Sequence, residues 1–363
     1  MKKQVIALCL AGVLTLGLAG CSTPGVAVED TIADPLPRDI RIGLLVYIVE
    51  GHWWYSMHDA MEAQADALGA RIVTQDFNLG QDDEIVHSFV AQGIDVLAIC
   101  PWAHDMIEPV LLSAADAHLP VVFYNRQPSQ DFMDSYDKVW YVGARAEDSG
   151  TESGKILADY FKEFPAADKN GDGKVQYVML TGEINHQDAV ARSKYSQQAL
   201  AASGLIDGYD MNEWSQSSPP NQFMLANQSA NWDTRQAKDL MNNWITSIGL
   251  DKIEAVIANS DTMALGAIAA LQSKGYNLAG SNSKGNPSKY IPVVGVDGTD
   301  KARTAVSKGS LLGTVFNDAV TQGKAVVNAA VAAANGDVSE ATVGHTMTED
   351  KYIWVPYTPL TKV

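Results

Sequence analysis

The chain has 363 residues, 46% of them hydrophobic and 19% charged, with a formal net charge of −17. Such proportions belong to an ordinary globular protein, long enough for two compact lobes. So negative a surface repels phosphate backbones and anionic membranes, which argues against any nucleic-acid-binding role.

The N-terminus reads "MKKQVIALCLAGVLTLGLAGC". Lys2 and Lys3 form a basic head, and Val5 to Leu18 form an apolar run too short to span a bilayer comfortably, the pattern of a signal peptide over residues 1–20. The stretch Leu18-Ala19-Gly20-Cys21 resembles the lipobox of bacterial lipoproteins. That resemblance implies cleavage before Cys21 and acylation of its sulfur and amine, each buried CH₂ contributing about 0.8 kcal/mol of membrane affinity. Residues 21–39 lack apolar periodicity and contain Pro24, Pro35 and Pro37, the composition of a tether. With Cys9 in the signal and Cys21 lipidated, Cys100 stands alone. No intramolecular disulfide or thiolate metal cluster can form, and Cys100, ending "VLAIC", reads as a small core hydrophobe.

From Arg41 short β-rich runs alternate with helical stretches. "RIGLLVYI" precedes a helix over Trp54 to Gly69, where Trp54, Met57, Met61, Ala65 and Leu68 recur at helical spacing. "RIVTQDF", a helix over Ile85 to Val90, "IDVLAIC", a helix over Met106 to Ala115 and "PVVFYN" follow. The alternation restarts after "KVWYVG": a helix over Glu147 to Phe164, "VQYVMLTG", helices over Ala189 to Ala202 and Thr234 to Ile245, "IEAVIA", a helix over Met263 to Lys274, "IPVVGVD" and "LLGTVF". Continuously apolar strands are expected where helices cover both sheet faces. Two such sets predict an α/β protein of two doubly wound lobes with a ligand cleft between them. Ligands of such sheets sit beyond the carboxyl ends of the strands, which singles out Asn125, His186, Ser260, Asp297 and Asn317. After the first strand, Trp53, Trp54 and Tyr55 offer more flat apolar surface than one buried helix face can use.

"DKNGDGKVQ" places Asp168, Asn170 and Asp172 at alternate positions, Gly173 at the sixth and Gln176 at the ninth. Oxygen ligands at positions 1, 3, 5, 7 and 9 around that glycine are the geometry of an EF-hand calcium loop, and Lys174 at position seven would ligate through its carbonyl. Position twelve, a glutamate in an EF-hand, is Met179 inside a strand. The missing carboxylate must come from elsewhere, or the segment is only an Asx-rich turn.

The motifs "VVFYNRQPS", "DSYDKVWYVG", "DKNGDGKVQ", "NHQDAVAR", "NWDTRQAKD", "IEAVIANSDTMALGA" and "GTVFNDA" together resemble the periplasmic galactose/glucose-binding protein family, type I solute-binding proteins of ABC transporters, from about Arg41 to Tyr357. The resemblance implies two lobes joined by three crossing segments. Residues 40–144 plus 319–354 would form the first lobe, and 145–318 plus 355–363 the second, with the calcium loop. It implies Glu254 as the missing calcium ligand, so that calcium is a structural cofactor. It also implies a sugar site made of Trp53, Asn125, His186, Asp188, Arg192, Trp232, Ser260, Asp297 and Asn317, with Trp53 and Trp232 stacking on the two sugar faces. The amide, carboxylate and guanidinium groups among them suit pyranose hydroxyls, which both donate and accept. Two positions depart from the family: its first-lobe acid falls on Gly51, beside Glu50 and His52, and its second-lobe asparagine is Ser260. Read alone, Asp188 and Arg192 are equally an i, i+4 surface pair and Asn317-Asp318 a helix cap.

The implied partners are a monosaccharide and an ABC permease, with the protein acting as an extracytoplasmic monomer held to the membrane only by its lipid. A sensor that shows its closed form to a chemoreceptor uses the same equilibrium. A glycosidase using Asp188 and Asp297 is the competing class, but nothing separates an acid from a nucleophile, and no GxSxG elbow is present.

Overall fold

A computed structural model describes residues 39–46, 52–76, 82–101, 103–215, 221–280 and 283–362. The signal-like segment, Cys21, the tether up to residue 38, and Glu50 and Gly51 lie outside the described residues.

The chain begins with β1 (Arg41–Val46), α1 (His52–Leu68), β2 (Arg71–Asp76), α2 (Asp82–Ala91), β3 (Val96–Ile99), α3 (Ile107–Asp116), β4 (Val121–Tyr124), the short α4 (Gln130–Asp134) and β5 (Val139–Gly143). It continues through α5 (Ala146–Glu163), β6 (Tyr177–Thr181), α6 (Gln187–Ala202), β7 (Met224–Ser229), α7 (Thr234–Ser247), β8 (Ala255–Ala258), α8 (Asp261–Gln272), β9 (Val293–Asp297), α9 (Asp300–Ser307) and β10 (Gly313–Phe316). Then come α10 (Ala319–Asn335), α11 (Glu340–Val343), β11 (Tyr352–Trp354) and β12 (Thr358–Leu360).

Two six-stranded sheets result, ordered β11-β5-β4-β3-β1-β2 and β12-β10-β9-β8-β6-β7. Every pairing is parallel except that of β12 with β10. The central strands β3 (VLAI), β4 (VVFY) and β8 (AVIA) are buried throughout, as sheets covered on both faces require. Each sheet separates two clusters of buried side chains, one per face, so each lobe has its own core.

The chain passes between the sheets three times: from β5 to α5, from β10 to α10 and from β11 to β12. Helix α10 packs on α1, and this is possible because Gly323 lies against the carbonyl of Met57; a Cβ there would come within 2.5 Å of it. α5 packs on α6 in the second lobe. Val355 N–H donates to the carbonyl of Gly143 at 2.9 Å, tying the third crossing to the first.

Several boundaries differ from the sequence expectation for local reasons. β6 starts at Tyr177 rather than Val175, because the preceding residues close the Asx-rich loop. α6 starts two residues early, at Gln187, because His186 caps it, and α8 starts at Asp261 because Ser260 caps it. Among the described residues no helix is long and apolar enough to cross a membrane.

Candidate functional site

Between the carboxyl ends of the two sheets, the second lobe assembles its polar groups around one guanidinium. Arg192, on α6, is only 5% exposed. Its Nη1 donates to the carbonyl of Asn259 at 2.8 Å and lies 3.7 Å from Asp297 Oδ1. Its Nη2 donates to Asp188 Oδ2 at 3.1 Å and to the hydroxyl of Tyr357 at 3.2 Å. The plane of the guanidinium is thereby fixed from four sides. Nε is buried with no hydrogen-bond partner in the protein. Burial opposes the charge of Arg192, but Tyr357, Asp188 and Asp297 together more than offset it, so the group stays charged.

His186 stands at the head of the same helix, its Nδ1 accepting from Asp188 N–H at 3.1 Å. Burial lowers its pKa, so the ring is neutral at physiological pH. Edge-on to it, at 5.2 Å between ring centres, lies Trp232, whose ring also has the Arg192 guanidinium 5.8 Å from its centre. Trp232 has φ +61°, an unusual value for an aromatic residue, and its indole lies on the backbone of Gly182. Any Cβ at position 182 would collide with that indole, so the glycine is what seats the ring. Asn231 (φ +53°) shares the strained turn. Thr262 Oγ1 donates to the carbonyl of Trp232 at 2.8 Å and lies 2.7 Å from Ser260 Oγ. Ser260 is thus placed beside the Trp232 turn, but its hydroxyl also caps α8.

Asp297 ends β9 at φ +117°. Burial pushes its carboxyl up to about 8 against the pull of Arg192, and the nearby charges of Asp261 and Asp188 push the same way as burial. Asp261, fully buried, accepts from Thr314 Oγ1 at 2.6 Å and from Thr299 N–H at 2.7 Å, bracing the turn after Asp297. Asn317 is buried at the end of β10, its Oδ1 accepting from Gln322 Nε2; Asp318, not Asn317, caps α10.

The first lobe supplies less. Asn125, directly after β4, has φ +62°, and its carbonyl accepts from Tyr141 Oη at 2.8 Å. Its neighbour Arg126 lines the same cavity as His186 and Asp188, which places Asn125 across from the second-lobe cluster. Trp53, in the first turn of α1, donates from Nε1 to the carbonyl of Asn317 at 3.0 Å, and Trp54 packs edge-on against it and into the core. Tyr55 is 54% exposed. At the mouth, Arg126 pairs with Glu183 at 3.3 Å, and Gln187 Nε2 donates to Gln127 Oε1 at 3.3 Å. Behind these contacts lies a small cavity lined by Pro101, Ala103 and Ile107 on one side and His186, Gln187 and Asp188 on the other.

Of the residues singled out in the sequence, His186, Asp188, Arg192, Trp232 and Asp297 lie together, with Asn125 opposite and Ser260 alongside. Trp53 and Asn317 form a second group at the middle crossing. Sequence reasoning missed Tyr357, Asn259, Gly182, Asp261, Arg126 and Glu183. Only a glycine directly after a buried strand could have flagged Gly182; the others carry no local signal.

On the outer side of the second lobe, residues 168–176 fold as a string of Asx turns. Asp168 accepts from Gly171 N–H (2.7 Å) and Gly173 N–H (2.8 Å), Asn170 Oδ1 from Asp172 N–H (3.0 Å), and Asp172 Oδ1 from Lys174 N–H (2.8 Å). Both glycines have φ +73°. The side chains of Asn170 and Gln176 converge on Asp172 Oδ2 at 3.0 and 2.9 Å, and Gln176 Oε1 is buried without a partner. Glu254, 2% exposed, accepts from the backbone amides of Lys169 and Gln176 (2.5 and 2.9 Å). Burial raises its carboxyl. Among the described residues no three carboxylate, imidazole or thiolate groups form a metal cluster by themselves. This loop adds amide and carbonyl oxygens to the carboxylates of Asp168, Asp172 and Glu254, a donor set that suits a hard cation of calcium type. The orphaned Gln176 oxygen fits such an ion.

A family model described as a periplasmic binding protein domain matches residues 42–337. The chain is 30% identical to the D-galactose/methyl-galactoside binding periplasmic protein MglB of Haemophilus influenzae, over 100% of this chain and 98% of that one. It is 28% identical to the ribose import binding protein RbsB of Escherichia coli strain K12, over 80% and 83% of the two chains. An ABC transporter periplasmic solute binding protein of Actinobacillus succinogenes 130z, solved with bound D-allose, superposes with a TM-score of 0.69 at 22% identity, covering 89% and 98% of the two chains; this likeness concerns the fold. By sequence and by architecture, the chain belongs to the periplasmic binding protein family of type I fold, extracytoplasmic proteins that hold a solute rather than transform it.

Proposed function

We propose that this protein is the substrate-binding lipoprotein of an ABC sugar importer, closing its two lobes on one monosaccharide of the galactose/glucose type. The observation that carries the reading is Arg192, a buried guanidinium aimed by four partners, with an unpartnered Nε beside an indole and two carboxylates. A sugar oxygen completes that donor, its hydroxyls reach Asp188, Asp297 and Asn125, and its apolar face suits Trp232. Hydrogen bonds to charged partners contribute about 1.5–3 kcal/mol each, so a few of them with stacking reach the roughly 8 kcal/mol of a micromolar complex after desolvation. Relatives named for galactose and ribose share the family, and Gly51 and Ser260 replace two polar residues of the galactose/glucose type. A different aldose is therefore the alternative ligand. Calorimetry against galactose, glucose, ribose and allose tests this: saturable heat with at least one is expected, and none with any overturns it.

Calcium belongs to the same proposal. Asp168, Asn170, Asp172, Gln176, the carbonyl of Lys174 and Glu254 would hold it, and it would offset the cost of the buried Glu254 carboxylate. Acylation of Cys21 would tether the protein; labelled palmitate entering the wild type but not Cys21→Ser is the expected result. Gel filtration is expected to show a monomer. The permease, and a chemoreceptor if one is used, would read the closed form.

A further inference from the structure

We propose that Tyr357 is a positioning residue for sugar recognition: from the third crossing segment its hydroxyl holds the Arg192 guanidinium in the plane that presents Nε to the ligand. The inference rests on the sugar-binding reading above and adds to it a residue outside the cleft-lining loops.

Tyr357 lies between β11, in the first sheet, and β12, in the second. Its ring packs against the second-lobe core cluster of Tyr177, Met179 and Val296. The crossing is anchored two residues earlier by the bond from Val355 N–H to Gly143. With the ring packed and the backbone tied, the hydroxyl has a defined position, and it accepts from Arg192 Nη2 at 3.2 Å.

The guanidinium has five N–H donors in one rigid plane. Nη1 donates to the carbonyl of Asn259 and lies 3.7 Å from Asp297 Oδ1, an electrostatic contact longer than a hydrogen bond. Nη2 is occupied by Asp188 and Tyr357. Asp188 is reached from the same helix one turn away and can follow the arginine through its rotamers. Tyr357 cannot follow, because it comes from a different segment 165 residues away in sequence. Removing its hydroxyl leaves a buried Nη2 donor unsatisfied, and the plane tilts toward Asp188 to recover a partner. Nε, the donor without a protein acceptor, then points away from the ligand. Because Tyr357 lies on a segment whose torsions must change if the lobes open, the aim of Arg192 also depends on lobe closure.

The experiment is Tyr357→Phe, which deletes only the hydroxyl, titrated with D-galactose, or with D-allose if galactose gives no heat. The expected result is an about tenfold weaker Kd, the loss of one hydrogen bond to a charged group. An Arg192→Met background serves as the second arm: there Tyr357→Phe is expected to change Kd less than about twofold, because the two residues act as one unit. An unchanged Kd in Tyr357→Phe overturns the proposal, as does an equal loss in both backgrounds, which marks a general structural effect. A third measurement needs no sugar. The Arg192 Nη protons are expected as separate NMR resonances in the wild type, pinned by their acceptors, and as merged resonances in Tyr357→Phe; identical spectra overturn the positioning role. Absence of heat with any aldose overturns the sugar reading, while the resonances still decide Tyr357.

Discussion

The two lobes bring different physics to the cleft. The second lobe carries charge: Arg192 is buried among Asp188, Asp297 and Tyr357, and each contact is held by an element that is itself capped or braced. The first lobe offers an indole at Trp53 and an amide at Asn125, with no buried ion pair among its described residues. Preorganised charge costs stability in the empty protein, since buried carboxylates lose water and gain only partial compensation. A flat ring and an amide cost little when empty. In the proposed complex the second lobe would grip the sugar, and the first would close over it.

The largest effect should come from breaking the hub. Arg192→Met leaves Asp188 without its cation and the carbonyl of Asn259 without its donor, and is expected to weaken binding by about a hundredfold or more and to destabilise the fold by about 3 kcal/mol, read by calorimetry and denaturant unfolding. On the first-lobe side, Trp53→Ala should weaken binding about tenfold through lost ring area and stacking, without loss of cooperative unfolding. An unchanged Kd there would remove the indole from the site.

Chelating calcium should lower the melting temperature by about 5 °C, because an ion at a hundred times its Kd contributes about 2.7 kcal/mol. The loop lies away from the hub, so sugar affinity should hardly move; an unchanged melting temperature in matched buffers ends the calcium proposal. The pH dependence is finer still. Since the folded-state pKa of Asp297 is raised, from the usual carboxylate range to about 8, the unfolded chain loses that proton first. Its contribution is fully present below about pH 4 and is lost as pH rises through about 8. Ligand-free Asp297→Asn should therefore lose less stability than wild type between pH 5 and 8, while binding sugar more weakly. Smallest of all, Arg126→Ala at the mouth removes a half-exposed ion pair and should change Kd by about threefold at most.

How much of this was legible in the sequence follows from what each element needs. The central strands announce themselves because both faces are buried, so a run such as VVFY has no polar interruption. The calcium-type loop is legible because spacing along the chain is itself the geometry. α10 was not recognised as a helix: "AVTQGKAVVNAAVAAAN" is buried over much of its circumference, so its apolar pattern lacks a polar face. β7, with the half-polar sequence MLANQS, and the three-residue β11 and β12 are edge strands too short or too mixed to stand out. In the site, residues following strands were found by position, and the Asp188–Arg192 pair by helical spacing. Tyr357 and Asn259 reach Arg192 over 165 and 67 positions, distances at which no local pattern survives.

The three crossings have a consequence for how the molecule is made. Neither lobe is a continuous piece of chain: the first sheet ends with β11, and its helical cover includes α10, both of which follow the entire β6–β10 unit. A growing chain can therefore complete neither sheet until it reaches its last strands, although it has by then synthesised every other strand of both. Contacts of such long sequence separation form late and slowly. The architecture keeps the first lobe incomplete through most of synthesis, with the α1 face that receives Gly323 waiting for a helix about 270 residues downstream of Met57.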